Sequence, residues 1–194
     1  MAMTEIIDAL REEHHNLEKL LAVLEHELEL FDHNQRPDYE ILQSIIQYFE
    51  DYPQSCHHPK EEMIFEKLRA RDPRGAAAYG DIDAEHAIEA KRLRKFGDAV
   101  NAVLSDQELL RETFHLAVQD FIKNQRDHLK KEEALLFPAA AKALTAEDWA
   151  DIEARMANRK DPLFEGAGDE KFRSLEQNIL RWEQEAEDAR TAAR

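Results

Sequence analysis

Apolar residues recur along the chain in alternating steps of three and four, the stripe of helices that face a core. A first helix is expected from about Thr4, as N-cap, to about Phe31. Its seam is Leu10, Leu17, Leu21, Leu24, Leu28 and Phe31, broken by one polar seam position, His14. A turn around Pro37 follows. A second helix is expected from about Tyr39 to Arg69, carrying Leu42, Ile45, Ile46, Phe49, Ile64, Phe65 and Leu68. Pro53 and Pro59 inside it predict a kink or local break. Residues 72–80 read as a loop. A third helix is expected from Ile82 to Leu104, with Leu93, Phe96, Val100 and Leu104 inward. Ser105 reads as the cap of a fourth, which continues to about Ala143. Its seam is Phe114, Val118, Phe121, Gln125, His128, Glu132 and Leu135, again interrupted by polar residues. This pattern predicts an all-α fold, an up-down-up-down four-helix bundle over residues 1–145.

Thr145-Ala146-Glu147-Asp148 has the form of a capping box and opens a helical extension over residues 146–194. The extension is expected to hold a short fifth helix, a link at 158–168 with Asp161-Pro162-Leu163-Phe164, and a last helix near 170–189. It would pack on the bundle through Trp149, Leu163, Phe164 and Trp182. An exposed face on that last helix could support a dimer.

Composition agrees with helices. Among 194 residues there are five glycines and six prolines, and Ala, Leu, Glu, Lys and Arg dominate. The formal net charge of −16 repels phosphates and anionic lipid, so neither a nucleic acid nor a membrane surface is the expected partner. No stretch approaches the ~18 apolar residues of a membrane span. The N-terminal ten residues contain Glu5 and Asp8 and do not read as a signal peptide. The single cysteine, Cys56, fits a reducing cytoplasm and reads as a structural thiol.

The nine histidines carry the chemistry, because they fall in an internal repeat. Half one has Glu13-His14, then His57-His58-Pro59-Lys60-Glu61-Glu62. Half two has Glu85-His86, then His128-Leu129-Lys130-Lys131-Glu132-Glu133. His14 and His57 are 43 residues apart, and His86 and His128 are 42 apart. The four-residue gap puts His57 beside Glu61, and His128 beside Glu132, on one helix face. His14 and His57 each lie about 26 Å from the turn that joins their helices, at about 1.5 Å per residue. His86 and His128 satisfy the same test about their own turn. Antiparallel packing of the two hairpins therefore collects four imidazoles and two carboxylates in one core layer.

Burying a lone glutamate is costly, but cations would neutralise such a group. Six ligands are too many for one four-coordinate zinc. They suit two octahedral ions, each with two histidines and both bridged by Glu61 and Glu132, with water or an oxide bridge added. Imidazole and carboxylate without thiolate suit iron or manganese, though zinc or copper could bind artificially.

These residues resemble the hemerythrin-like family of HHE cation-binding domains, whose pattern is H, HxxxE, H, HxxxE across four helices. The resemblance covers about residues 4–143 and rests on His14, His57 to Glu61, His86, and His128 to Glu132. Leu144 to Trp149 and Asp161 to Phe164 resemble a bacterial subgroup with the same C-terminal extension. The resemblance implies a non-haem di-iron centre that binds O2, peroxide or nitric oxide. One position departs from it: oxygen-carrying hemerythrins have a second histidine four residues after the third-helix histidine, and here that residue is Ala90. The gap would be filled by His58, Glu85, Glu89 or water, and reversible oxygen carriage is the less favoured use.

Several neighbours compete. His15 follows His14 but points about 100° off the seam, and Ala87 is its counterpart. His58 follows His57, and the alignment of Glu61 with Glu132 favours His57, leaving His58 as an extra or supporting ligand. Glu62 and Glu133 read as solvated or supporting carboxylates, and Lys60 and Lys131 as surface charges. His26, His33 and His115 have no repeated partner. A ferritin-type Glu-x-x-His site would use Glu12 to His15 and Glu112 to His115, which lie off the seams. No zinc-protease, phosphate-loop or nucleophile-elbow motif occurs. The functions left open are a peroxide- or NO-consuming enzyme, a carrier or iron store, a redox or gas sensor acting through a protein partner, and a metal-free bundle.

Overall fold

The computed structural model describes residues 3–156 and, beyond them, positions 175, 177, 179 and 181. The protein is all-helical. Helix α1 spans Met3–Asp32, α2 Tyr39–Tyr52, α3 His58–Arg71, α4 Pro73–Tyr79, α5 Ile82–Leu104, α6 Arg111–Lys131, α7 Phe137–Ala143 and α8 Ala146–Met156. Two π turns, Pro53–His57 and Glu132–Leu136, join α2 to α3 and α6 to α7. The bundle closes as a ring, with α1 on α2 and α6, and α5 on α2 and α6. Among the described residues no helix is long and apolar enough to cross a membrane. The predicted link at 158–168, most of the last helix, and Leu163, Phe164 and Trp182 lie outside the described residues. Leu175 and Ile179 are helical and buried against the bundle core.

The long second and fourth helices expected from periodicity are each divided by a π turn, and the cause is local. Each π turn ends two residues before a proline, Pro59 or Pro138. A helical proline lacks the N–H that would bond four residues back, and its ring collides with the carbonyl there. That carbonyl belongs to Ser55 or Ala134, inside the widened turn in both cases. The ladder skips ahead instead, with His58 N–H donating to the Pro53 carbonyl and Phe137 N–H to the Glu132 carbonyl. The extra residue shifts the phase of the helix beyond it. Leu135, placed on the seam by a regular count, is 42% exposed, and Leu136 is fully buried in its stead.

Three further expectations meet the structure differently. Residues 72–80 are not a loop, because Asp72 accepts from the Gly75 N–H, Pro73 opens the first turn, and α4 forms. Ser105 ends α5, with its N–H donating to the Asn101 carbonyl, and α6 begins only at Arg111 after an extended Leu110. Leu104 is correspondingly exposed at that end. The capping box does form: Asp148 accepts from the Thr145 N–H at 3.0 Å, and the Thr145 hydroxyl accepts from the Asp148 N–H at 3.3 Å. It starts α8, which packs on α3 and α1 through Trp149 and Ile152 and through Arg71, paired to Asp148 at 2.8 Å.

The apolar interior consists of two separate clusters. One holds Leu17 to Phe31 of α1 with α2, the far ends of α5 and α6, and Leu175 and Ile179. The other holds Ile6, Ile7 and Leu10 with α3, α4, α7 and α8. His14, His57, Glu61, His86, His128 and Glu132 lie at the boundary between them, all buried.

Candidate metal centre

Each long helix delivers its side chains to this boundary layer from a seam position. His14 comes from α1, His57 from the first π turn, Glu61 from α3, His86 from α5, His128 from α6 and Glu132 from the second π turn. His58, next to His57, is also buried. Adjacent helical residues point about 100° apart, so the two histidines reach different neighbours.

Two groups of donor atoms result. His14, His57, Glu61 and Glu132 form the first, and His58, Glu61, His86 and His128 the second, with ligand atoms within 4.8 Å of one another in each. The two carboxylates straddle the groups. Glu61 Oε1 lies 3.0 Å from His57 Nε2 and 3.5 Å from His14 Nε2, while its Oε2 lies 3.4 Å from His86 Nε2. Glu132 Oε2 lies 3.3 Å from His14 Nε2, and its Oε1 3.2 Å from His128 Nε2. These inward nitrogens, both Glu61 oxygens and Glu132 Oε2 are buried without a hydrogen-bond partner. Unsatisfied buried polar atoms are rare, and a cluster converging on common points fits cations.

Each outward nitrogen faces a carboxylate, in a pattern that repeats the twofold relation of the halves, but only those of His14 and His57 are hydrogen-bonded to it. His57 Nδ1 meets Glu13 Oε2 at 2.8 Å, and Lys60 Nζ donates to the same Glu13. His128 Nδ1 faces Glu85 at 3.9 Å, and Lys131 Nζ donates to Glu85 at 2.7 Å. His14 Nδ1 is 3.1 Å from Glu133, and His86 Nδ1 is 3.5 Å from Glu62, each partner coming from the opposite half. For His14 and His57 the carboxylate on Nδ1 fixes the tautomer that leaves Nε2 free for a cation. Lys60 is therefore not a surface charge: it is 5% exposed, drawn inward by Glu13, itself buried. Lys131 is only partly covered. His15, His26 and His33 are exposed, and His115 pairs with Asp32 at 2.9 Å at the bundle end.

Two further residues reach the layer: Tyr79 carries no mark of periodicity in the sequence, whereas Glu89 sits at seam phase between His86 and Leu93. Tyr79, on the unexpected helix α4, directs its hydroxyl at Glu132 Oε1, 3.5 Å away. Glu89 of α5 is 3% exposed and comes within 3.1 Å of His58 Nε2. A cavity of about 420 Å³ reaches Glu89 and His58 past Gln54, Ala90 and Leu93.

Electrostatics shows what the layer does without a cation. Burial pushes Glu89 up to about 7. Burial, with the charges of Glu61 and Glu89, holds Glu132 well above the carboxylate range. Burial would raise Glu61 too, but the cationic His57 and the His14 and His86 contacts hold it well below. Burial opposes protonation of His57, yet Glu61 and Glu13 prevail and hold it at about 10. His58 falls to about 3 through burial and the nearby His86 cation. The metal-free layer thus keeps protons where a cation would supply positive charge.

Residues 5–140 match the family model described as the hemerythrin HHE cation-binding domain. The chain belongs to that family. No curated protein and no solved structure matches it. As an HHE domain it is a cation-binding protein, and its buried His/Glu groups could hold a metal ion.

A cation held by His57 would have to displace the proton there, held at about 10. Below that value each bound proton competes with the metal, so affinity falls as pH falls. Glu132, held well above the carboxylate range, carries a proton to displace as well, so apparent affinity for a divalent cation should rise at least about tenfold per pH unit between about pH 6 and pH 8. Competition titration with a chelator measures it, and a pH-independent affinity would contradict the proton inventory.

Proposed function

We propose that the protein is a non-haem di-iron protein that binds or reacts with O2, peroxide or nitric oxide. In this reading His14 and His57 hold one iron, His86 and His128 with His58 hold the other, and Glu61 and Glu132 bridge them. The observation that supports it best is the way each of the two carboxylates presents one oxygen to either group of histidines. A nitrogen- and oxygen-only donor set suits iron or manganese better than a thiolate-preferring metal. Iron would supply the electron exchange with the small molecule.

The chain's own residues would do the rest. Glu13, Glu62, Glu85 and Glu133 orient the imidazoles, and the two apolar clusters keep bulk water from the layer. Tyr79 places a hydroxyl proton beside Glu132. The 420 Å³ cavity offers a diatomic molecule or peroxide a route from solvent. A sensor is the second reading, favoured by α8, which Arg71–Asp148 and Lys67–Asp151 fasten to the helix carrying Glu61.

Elemental analysis of protein made in iron-supplemented medium should find two irons per chain. The loaded protein should then change its absorption when mixed with peroxide or NO. Catalytic loss of peroxide or NO marks an enzyme, and saturable reversible binding marks a carrier. Protein that stays metal-free after anaerobic loading with iron would overturn the reading.

A further inference from the structure

The two halves superimpose in sequence, and the places where they differ are informative. With His86 set on His14, Glu89 of half two falls on Leu17 of half one. With His128 set on His57, His58 of half one falls on Leu129 of half two. Leu17 and Leu129 are ordinary core leucines, 2% and 7% exposed. Their counterparts Glu89 and His58 are just as buried, at 3% and 6%. Each half therefore spends one core position on a polar residue that the other half does not need.

The two polar replacements meet. Glu89 Oε2 lies 3.1 Å from His58 Nε2, and Glu89 Oε1 lies 3.5 Å from His128 Nε2. Neither Glu89 oxygen has a hydrogen-bond partner. A buried carboxylate without hydrogen bonds or a cation is costly. Two donors bound side by side on one ion, each about 2.1 Å from it, stand about 3 Å apart. The Glu89 contacts have that spacing, and both are to members of the second histidine group.

We propose that Glu89 is a terminal carboxylate ligand of the second metal ion, which makes the two ions unequal. This rests on the metal reading above. The first ion has His14, His57, Glu61 and Glu132. The second has His58, His86, His128, Glu61 and Glu132, and Glu89 completes six donors around it. Glu89 also faces the cavity, as does His58, so these two donors stand between the second ion and solvent. The inequality is built by the pair that breaks the repeat, and a twofold-exact repeat would lack it.

Cobalt(II) alone, loaded anaerobically into the full chain, is the probe, because its visible bands intensify when coordination falls below six. Wild type is compared with Glu89→Leu, which copies the other half, and Glu89→Gln, which keeps the shape should the leucine variant fold poorly. Both variants should bind the first cobalt as wild type does. The second should bind at least about tenfold more weakly, with stronger visible absorption. Metal-free Glu89→Leu should melt above metal-free wild type, since an unpartnered buried carboxylate is gone, and a role in folding alone would not produce opposite signs in the two states. Two cobalt ions bound by both variants with wild-type affinity and spectrum would overturn the proposal while leaving the metal reading intact. Wild type that takes up no cobalt would overturn both.

Discussion

In the Glu61→Ala, Glu132→Ala double variant, bound iron is expected to fall to near zero while the helices remain. Glu61 belongs to both donor groups, and Glu132 reaches a histidine of each. In the proposed di-iron reading, removing them strips the carboxylates shared by both ions, and not merely one ligand of one ion. Loss of an outer partner of a ligand already costs about 10–100-fold in affinity, and loss of two bridges costs more. The fold has other supports, since the layer lies between two apolar clusters that do not use these carboxylates. Deleting buried carboxylates also removes a desolvation cost from the metal-free state. Circular dichroism beside elemental analysis separates the two effects. Iron retained at wild-type level in a folded double variant would show that these carboxylates are not the bridges.

The second large effect concerns stability. Glu13→Ala should destabilise the metal-free protein by about 3–5 kcal/mol, because it leaves the Lys60 ammonium buried without its partner. The equivalent Glu85→Ala in the other half should cost less than ~1 kcal/mol. The difference follows from exposure. The Lys60 and Glu13 side chains are 7% and 4% exposed, whereas those of Lys131 and Glu85 are 29% and 28% exposed. Water can replace the lost partner of Lys131 but hardly that of Lys60. Adding Lys60→Met to Glu13→Ala should recover most of the loss, since the charge and its partner are then both gone. Urea unfolding of the three variants measures this, and equal costs for Glu13→Ala and Glu85→Ala would refute the asymmetry.

Those two glutamates mark the limit of what the chain shows by itself. Glu13 and Glu85 directly precede His14 and His86, and Lys60 and Lys131 directly precede Glu61 and Glu132. These matching positions do not say which pair is buried. The difference comes from what covers them, and that depends on the packing of distant elements.

The main bundle helices and the shared His/Glu layer were legible in the sequence itself, because both depend on periodicity and on distance along a helix from a shared turn. A seam at steps of three and four puts His14 or His128 at the core phase whatever lies opposite. Counting about 1.5 Å per residue from the turns then levels the four histidines and two glutamates. Helix α4 and the late start of α6 depended on capping choices among several candidates, and Asp72 and Leu110 were decided by the chain path. The π turns were half visible: Pro59 announced a disturbance, but not that an extra residue would carry Leu136 inward in place of Leu135. Only the tertiary structure brought Glu133 to His14, Glu62 to His86, Tyr79 to Glu132 and Glu89 to His58. Each of those contacts joins separate helices, and which side chains meet across a bundle is set by its three-dimensional packing, which one helix's period does not contain.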